Sequence, residues 1–246
     1  MDIISVDKVK YSIKDAAIID EISFATKKEH FVSVIGPSGC GKSTLLRIIA
    51  GLIPPTKGRI LFKGRRITAP IKEISFVFQD FGLLPWLSNV DNVKLGLSVL
   101  KMSDEEKTQK AMRLLKNFGL EGFENSYPNV LSGGMKQRVG LARAVASEPV
   151  VLLMDEPFSS LDELTANALR AEVLRMLLDK RIAVISIIMV THNVEEAVEL
   201  SDDIIVLTNK PTKVKEIIHI GLDRPRDRRS KKYLDAVDNI SRILKG

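Results

Sequence analysis

The stretch that decides the fold is a glycine-rich loop, Gly36-Pro37-Ser38-Gly39-Cys40-Gly41-Lys42-Ser43, with Thr44 directly after it. It matches G-x-x-x-x-G-K-[ST], in which backbone N–H groups surround phosphates, the lysine reaches the β- and γ-phosphates, and the hydroxyl binds Mg²⁺. A β-rich run, Phe31–Ile35, precedes the loop and a helical pattern over Lys42–Ile53 follows it. A phosphate-binding loop requires this strand–loop–helix order. We therefore predict that residues 36–44 bind a nucleoside triphosphate, with Lys42 acting in catalysis and Ser43 as a magnesium ligand.

A second stretch narrows the class of nucleotide-binding protein. A phosphate-binding loop alone is compatible with kinases, GTPases and motor proteins. Residues 131–135 read Leu-Ser-Gly-Gly-Met and lead into a basic helical pattern. This stretch resembles the signature of ATP-binding-cassette (ABC) ATPases, and the resemblance argues against a kinase or a GTPase. In that family the signature caps the nucleotide of a second subunit. The resemblance therefore implies that Ser132, Gly133 and Gly134 contact ATP in a head-to-tail dimer of this chain.

Two adjacent carboxylates follow an apolar run later in the chain. Val150–Met154 is typical of a buried strand, and Asp155 and Glu156 come directly after it. Neighbouring side chains of a strand point to opposite faces, so the two acids can have different roles. We predict that Asp155 holds Mg²⁺ through water and that Glu156 orients and deprotonates the attacking water. The pair also matches the Walker B position of the ABC ATPases.

Four further residues stand where the resemblance places functional side chains: Tyr11, Gln79, Asp162 and His192. Gln79 follows a strand-like run, and the resemblance implies that it contacts Mg²⁺ and the attacking water. His192 comes after the apolar run Ile182–Val190, where the family has a catalytic histidine near the γ-phosphate. Asp162 is implied to act at the nucleotide as part of the D-loop, and Tyr11 to stack on the adenine.

The order of these motifs predicts an α/β fold, a P-loop NTPase core of ABC ATPase type with two additions. One is an inserted helical subdomain and the other is an N-terminal antiparallel β subdomain. We expect a single ABC ATP-binding domain over residues 1–246, with the core at about 1–86 and 149–220. The helical subdomain is predicted at about 87–148, and a basic, helical tail at 221–246. Within the subdomain, Ser103 and Glu106 fit a capping box that opens a helix.

Composition agrees with this prediction. The chain has 246 residues, 45% of them hydrophobic and 28% charged, which is ordinary for a globular protein. No apolar stretch approaches the roughly 18 residues that a membrane span needs. The N-terminus lacks the pattern of a signal peptide, and the single cysteine suits a reducing cytoplasm. Any channel through a membrane is therefore expected to come from another chain.

A longer match points to a subfamily. Phe78–Leu87, with its Leu-Leu-Pro-Trp element, and Arg224–Arg228, near a Pro-Arg-Asp-Arg ending, resemble importers of nitrate, sulfonates and taurine. The resemblance implies an ATP-hydrolysing subunit, peripheral on the cytoplasmic face of the membrane, that works with transmembrane permease subunits. An extracytoplasmic solute-binding protein is implied as an indirect partner. Trp86 has two interpretations, packing in the core and docking of the permease.

The remaining alternatives concern charge and cellular role. The net charge is +6, and basic residues crowd near the C-terminus over residues 224–232. This segment is interpreted as a solvated basic surface, with an anionic membrane or an acidic partner as the alternative. No aromatic pattern accompanies the charge, so no nucleic-acid partner is expected. An ABC-type ATPase of DNA repair or translation is the other function considered. The compact spacing between Gln79 and the signature, without heptads or cysteine clusters, argues against it.

Overall fold

The computed structural model describes residues 2–178 and 183–245. Contacts divide the chain into two compact units, Met1–Ile71 together with Ile185–Gly246, and Lys72–Val184. In chain order the elements are β1 (Asp2–Ile13), β2 (Ala16–Lys27), β3 (His30–Ile35), α1 (Lys42–Ile49), β4 (Lys57–Phe62), β5 (Arg65–Ile67), β6 (Ile74–Val77), α2 (Asn89–Gly96), α3 (Asp104–Asn117), α4 (Gly133–Ala146), β7 (Val151–Asp155), α5 (Glu163–Leu178), β8 (Ser186–Val190), α6 (Val194–Leu200), β9 (Asp203–Leu207), β10 (Val214–His219) and α7 (Lys231–Lys245).

An antiparallel sheet occupies the N-terminal part of the first unit, in the order β2-β1-β4-β5. The end of β2 alternates strictly between buried and exposed residues, with Ile22, Phe24 and Thr26 buried. This alternation is typical of a sheet with one covered face. The turn between β4 and β5 uses Lys63 and Gly64, both with positive φ, as a tight hairpin requires. The predicted N-terminal antiparallel sheet is confirmed.

The first unit also contains a mainly parallel sheet. β3 pairs in parallel with β8 and with β9, and β10 pairs antiparallel with β9 at the edge. Phe31–Ile35 is buried throughout, which is typical of a parallel strand covered on both faces. The predicted strand over Asp203–Leu207 is confirmed. The apolar run Ile182–Val190 contains β8, which begins at Ser186. Ile182, the first residue of that run, lies outside the described residues.

The second unit combines a strand pair with helices. β6 and β7 are parallel, and α2, α3 and α4 all fall between them in the chain. The capping box at α3 is confirmed, because the Ser103 hydroxyl accepts from Glu106 N at 3.2 Å and Glu106 Oε2 accepts from Ser103 N at 2.7 Å.

Parallel strands and helices occur in both units, so the predicted α/β class is confirmed. The subdomain boundaries at about 87 and 148 stay a prediction. No helix within the described residues is long and apolar enough to cross a membrane.

Helix α1 is shorter than the sequence pattern predicts. It ends at Ile49 rather than Ile53. Gly51 has a φ of +73° and donates its N–H to Ile48 O at 3.0 Å, while Leu52 donates to Arg47 O at 2.9 Å. A glycine in the left-handed region after the last turn is a common way of ending a helix. Leu52 and Ile53 continue the helical spacing of apolar residues in the sequence, which is why the pattern predicts a longer helix.

The C-terminal basic segment differs from its interpretation as a solvated surface. Arg224, Arg226 and Arg228 are half-buried and bond to α6 or to residues next to it. Helix α7 then buries Tyr233 and Ile240 in a cluster with residues of α6 and β9. The solvated interpretation is wrong for these three arginines, because their charges serve contacts within the fold. Arg229, Lys231 and Lys232 are exposed.

Candidate functional site

The glycine-rich loop leaves the carboxyl end of β3 at Gly36 and enters α1 at Lys42. Its glycines are needed for backbone conformation. Gly39 has a φ of +72° and Gly41 a φ of +112°, values that other L-residues rarely adopt. A Cβ on Gly41 would also lie 3.1 Å from Ile18 Cγ2. The loop therefore curves tightly at the start of a helix, where N–H groups and the helix dipole favour phosphate.

Lys42 is oriented by the same loop. Its side chain is buried, and Nζ donates to Gly36 O and to Pro37 O, each at 2.9 Å. An ammonium group has three donors, so these two bonds orient it while a third remains for a phosphate oxygen. Ser43 and Thr44 follow in the first turn and are half-buried. The loop thus places backbone N–H groups beside a cation of fixed orientation.

A residue outside the motif anchors the loop. Thr212, fully buried between β9 and β10, donates its hydroxyl to Cys40 O. Its backbone N–H donates to Ile18 O at 2.9 Å, and its carbonyl accepts from Asp20 N at 2.8 Å. Thr212 therefore joins the loop to β2. Burial also raises the pKa of the Cys40 thiol above its ordinary value. Sequence reasoning missed Thr212, because its partner lies 172 residues away.

His192 lies at the same sheet edge as the loop. β3 and β8 are neighbouring parallel strands with Val34 opposite Val190, so their carboxyl ends carry Gly36 and His192 respectively. The His192 side chain is exposed, and the residues on both sides of it are bonded to α6. Thr191 Oγ1 donates to Glu196 Oε2 at 2.8 Å, and Asn193 Oδ1 accepts from Glu196 N at 3.2 Å. The histidine is therefore presented by a defined turn.

Tyr11 belongs to the same unit. It lies on β1 opposite Ile19 of β2, and its side chain is half-buried. The neighbouring Ile18 is the residue that approaches Gly41. The structure thus brings the strand pair of Tyr11 next to the phosphate loop. Its predicted contact with adenine stays a prediction.

In the second unit, three predicted residues lie at or just beyond the carboxyl ends of two paired strands. Val77 of β6 lies opposite Met154 of β7, so Gln79 and Asp155 come just beyond the same register position. Asp155 is buried, at 3% exposure, whereas Glu156 is half-buried and Gln79 is exposed. Glu156 has a φ of +45°, an uncommon conformation for a residue with a side chain. Such backbone strain is concentrated at functional sites, so it marks Glu156 as a candidate functional residue. It does not assign the residue a role.

The loop of Gln79 is tied to helix α4 by Arg143, which sequence reasoning also missed. The guanidinium donates to Gly82 O at 2.6 Å and to Phe81 O. Burial lowers the pKa of Arg143, and the negative charge of Asp80 partly offsets this effect. The arginine therefore connects the loop after β6 with the helix that begins at the signature.

The signature and the D-loop are packed together in the second unit. Ser132 caps α4 by accepting from Met135 N at 3.3 Å. Asp162 caps α5 in the same way, accepting from Thr165 N at 3.0 Å and from Thr165 Oγ1 at 2.7 Å. These bonds lower the pKa of Asp162. A Cβ on Gly134 would lie only 2.4 Å from Thr165 Cγ2. Gly134 is therefore required for the close approach of α4 to Thr165.

The predicted site residues thus fall into two groups, each within one unit. The first contains Tyr11, residues 36–44 and His192, and the second contains Gln79, residues 132–134, Asp155, Glu156 and Asp162.

Comparison with protein-family models identifies the family described as ABC transporter, matched over residues 19–159. The chain belongs to the ABC transporter family. The match covers more than half of the chain and includes the phosphate loop, the signature, Asp155 and Glu156.

Individual relatives of this ABC chain agree. It is 45% identical over 227 residues to an uncharacterised ABC transporter ATP-binding protein of Methanocaldococcus jannaschii, covering 92% of this chain and 84% of the relative. It is 41% identical over 234 residues to an aliphatic sulfonates import ATP-binding protein of Bacillus cereus, covering 94% and 91%. Among solved structures, a dimeric post-hydrolysis state of an ATP-binding cassette bound to ADP and Pi matches with a TM-score of 0.77. That match has 31% identity and covers 89% of this chain and 100% of the other.

These findings confirm the ABC ATPase type of the P-loop fold, ATP as the nucleotide, and the ATPase activity of the chain. One of the two interpretations of Trp86 is also corrected. It is 69% exposed, so packing in the core is wrong for it. The turn that carries it is held by the buried Asn92, whose side chain accepts from Leu84 N at 2.8 Å and donates to Leu84 O and Leu87 O at 3.1 Å. The indole is therefore exposed on a fixed turn.

Proposed function

We propose that this ABC ATPase energises an importer for a small anionic solute such as an alkanesulfonate, taurine or nitrate. The observation that carries the proposal is the 41% identity to the sulfonate import protein over 91% of that relative. The relatives described above are not named for DNA repair or translation, so that alternative gains no support. The chain itself supplies ATP hydrolysis, and its partner subunits determine which solute is recognised.

In this proposal the first unit binds ATP. The N–H groups of residues 36–44 and the Lys42 ammonium bind the phosphates, and Tyr11 stacks on the adenine. The positive φ values of Gly39 and Gly41 support this role, because they produce a curved loop at a helix start. His192 donates a hydrogen bond to the γ-phosphate. Its position beside the loop, one strand away, supports this assignment.

The second unit is proposed to supply the hydrolytic chemistry. Glu156 orients the attacking water and accepts its proton, and Gln79 holds the same water. Ser43, Gln79 and Asp155 are the proposed Mg²⁺ ligands. They are oxygen donors, which Mg²⁺ prefers, and Asp155 ends the buried strand β7. When bound, Mg²⁺ neutralises charge on the phosphates.

The proposed partners are a second copy of the chain and permease subunits. Ser132, Gly133 and Gly134 are proposed to contact the ATP held by the second copy, with Asp162 supporting them through α5. The exposed Trp86 on its fixed turn supports docking of a permease, because a rigid, solvent-exposed aromatic is typical of interface anchors. The chain would then lie on the cytoplasmic face of the membrane. A solute-binding protein would act from the other side, and no nucleic acid takes part.

The test has two parts. The first measures ATP turnover and ATP binding for Glu156→Gln, which should bind ATP normally, lose turnover by at least about a hundredfold, and accumulate as an ATP-bound dimer. Wild-type turnover would remove Glu156 as the base. The second measures ATPase activity of the chain with its co-purified membrane subunits and solute-binding protein. An alkanesulfonate, taurine or nitrate should stimulate it, and uncharged solutes should not. Stimulation only by solutes that carry no anionic group would contradict the proposed solute class.

A variant of Trp86 separates hydrolysis from docking. Trp86→Ala should leave the ATPase activity of the isolated chain unchanged and reduce the amount of chain recovered with the permease subunits. Phe123→Ala is the matched control, since Phe123 is also an exposed aromatic residue of the second unit. Equal loss of recovery with both variants would show that the effect is not specific to Trp86.

A further inference from the structure

Helix α6 begins directly after the turn that carries His192. Asn193 is its N-cap, and Glu196 in its first turn accepts from the Thr191 hydroxyl in a buried bond of 2.8 Å. The residues before and after His192 are therefore both bonded to the first turn of α6. A helix of seven residues has little stability of its own. Its orientation, and with it that of His192, depends on what holds α6 in place.

The C-terminal end of α6 is held by Arg226. Its guanidinium donates to Val198 O and, at 2.7 Å, to Ser201 O. The same group donates to Leu222 O at 3.0 Å, which ties the segment after β10 to the helix end. The last carbonyls of a helix have no partner within the helix and carry partial negative charge, so a half-buried cation there is favourable.

Two neighbouring arginines extend this contact. Arg224 donates to Leu200 O at 2.6 Å and pairs with Asp202 at 2.8 Å, while Arg228 pairs with Glu199 at 2.6 Å. Burial, and then the charge of Arg224, lower the pKa of Arg226 to about 10. Arg226 therefore keeps its positive charge at neutral pH. The basic segment is thus a clamp on α6, and we use the name "C-terminal clamp" for residues 224–233.

The beginning of α6 is held by the other end of the C-terminal clamp. The Tyr233 hydroxyl donates to Glu195 O at 3.0 Å, and its ring, 2% exposed, packs with Ala197 and Val198. Glu195 is three residues from His192. The clamp therefore contacts α6 at the turn nearest the histidine and at the opposite end, and all of these contacts lie within the first unit.

We propose that Arg226 and Tyr233 are positioning residues for ATP hydrolysis, which fix α6 and thereby hold His192 beside the phosphate loop. This inference rests on the proposed role of His192. It assigns the basic segment a function in turnover, in place of attraction to a membrane or an acidic partner. Neither residue touches the nucleotide in this account. Their effect should therefore appear in kcat rather than in the affinity for ATP.

The first experiment uses Tyr233→Phe, which removes one hydroxyl and keeps the buried ring. In the purified full-length chain we expect kcat to fall about three- to tenfold with KM for ATP unchanged, because a lost bond near the site displaces a catalytic group. Arg226→Lys should give a similar fall, since an ammonium cannot reproduce the planar fork of donors. The matched controls are Tyr127→Phe and Arg229→Lys, both at exposed positions, and neither should change kcat.

Two further measurements distinguish positioning of His192 from a role of Tyr233 in folding stability alone. The chain has three histidines, so their ring signals can be resolved by NMR and that of His192 assigned with His192→Ala. Tyr233→Phe should move the His192 signal and leave that of His30 in place. In the His192→Ala background, Tyr233→Phe should cause no further fall in single-turnover rate, because both changes act through one group.

The outcomes distinguish the two proposals. Wild-type turnover by His192→Ala overturns the role of His192 and this inference with it. A slow His192→Ala variant with unchanged kcat in Tyr233→Phe and Arg226→Lys overturns the positioning role alone. The positioning role is also overturned if the fall in kcat persists undiminished in the His192→Ala background, or if Tyr233→Phe raises KM without lowering kcat.

Discussion

Helices α1 and α4 both begin in glycine-rich stretches with a predicted role at phosphate, but their first turns are built differently. The N-cap of α1 is Gly41 in the left-handed region, and within the described turn no side chain caps it. The N-cap of α4 is Ser132, whose hydroxyl accepts from Met135 N. The glycines differ too. Gly39 and Gly41 of the first loop have positive φ, whereas Gly134 has helical backbone and lies close to Thr165.

The difference shows two uses of glycine at a helix start. Before α1, Gly39 and Gly41 supply a left-handed backbone conformation, and the Thr212 hydroxyl donates to Cys40 O of the same loop. Before α4, a side chain already satisfies one N–H group, and glycine supplies close packing between helices. The same kind of substitution should therefore reduce ATP affinity at the first stretch and folding stability at the second.

The largest expected effect tests the first half of this comparison. Gly41→Ala forces a φ of +112° on an L-residue and places its Cβ 3.1 Å from Ile18. Strain of about 1–3 kcal/mol should appear as a ten- to hundredfold loss of ATP affinity, measured by equilibrium titration of the isolated chain. Gly64→Ala is the control, because Gly64 also has positive φ but has open space around it and lies far from the loop in sequence. It should lower stability and leave ATP affinity unchanged. Equal affinity losses in both variants would contradict the assignment.

The second prediction concerns Gly134. Gly134→Ala places a methyl group 2.4 Å from Thr165 Cγ2, so either the Thr165 side chain or the start of α4 must move. We expect a loss of about 1–3 kcal/mol in the free energy of unfolding, measured with urea, and normal ATP affinity of the isolated chain. Thr165→Ser removes the opposing methyl and keeps the hydroxyl that bonds Asp162. Adding it should restore most of the stability. Failure of this rescue would show that the contact is not the cause.

Much of this molecule is predictable because its motifs carry their own physical reasons. The phosphate loop requires glycines at positions of positive φ, and Gly39 and Gly41 have them. Buried parallel strands read as continuous apolar runs, so Phe31–Ile35 and Val151–Met154 are recognisable without alternation. The Ser103 capping box is local, so four residues contain the whole signal. In each case the cause of the structure lies within a few residues.

Long-range partners were not predictable for the opposite reason. Thr212 and Arg143 have no local pattern that indicates the carbonyls they bond, which lie 172 and about 60 residues away. The arginines of the C-terminal clamp appeared as a charge cluster, and charge clusters are usually solvated. Only the fold shows that carbonyls at the end of α6 accept their hydrogen bonds. Trp86 is the converse case, since its exposure depends on a turn held by Asn92.

A third prediction uses the single cysteine to probe the loop before α1. Cys40 is 2% exposed, and burial raises the pKa of its thiol. Only the thiolate reacts with iodoacetamide, so at pH 7.5 we expect a rate at least about tenfold below that of the urea-unfolded chain. The rate should still be rising with pH above 9. Complete modification should abolish ATP binding, because an adduct fills the phosphate cradle. Full ATP binding by the modified chain would contradict this position for the loop.

The smallest expected effect concerns one hydrogen bond at each helix start, from Thr212 to the loop before α1 and from Ser132 to the first turn of α4. Thr212→Val keeps the shape of the side chain and removes the bond to Cys40 O, which should weaken ATP binding about fivefold, since a typical hydrogen bond contributes about 1 kcal/mol. Thr212→Ser should restore it. Ser132→Ala removes a cap worth about 1 kcal/mol and should lower the free energy of unfolding by that amount without changing ATP affinity. Titration and urea unfolding of all three variants provide the check. If Ser132→Ala weakened ATP binding in the isolated chain as much as Thr212→Val, the two helix starts would not differ in the way proposed.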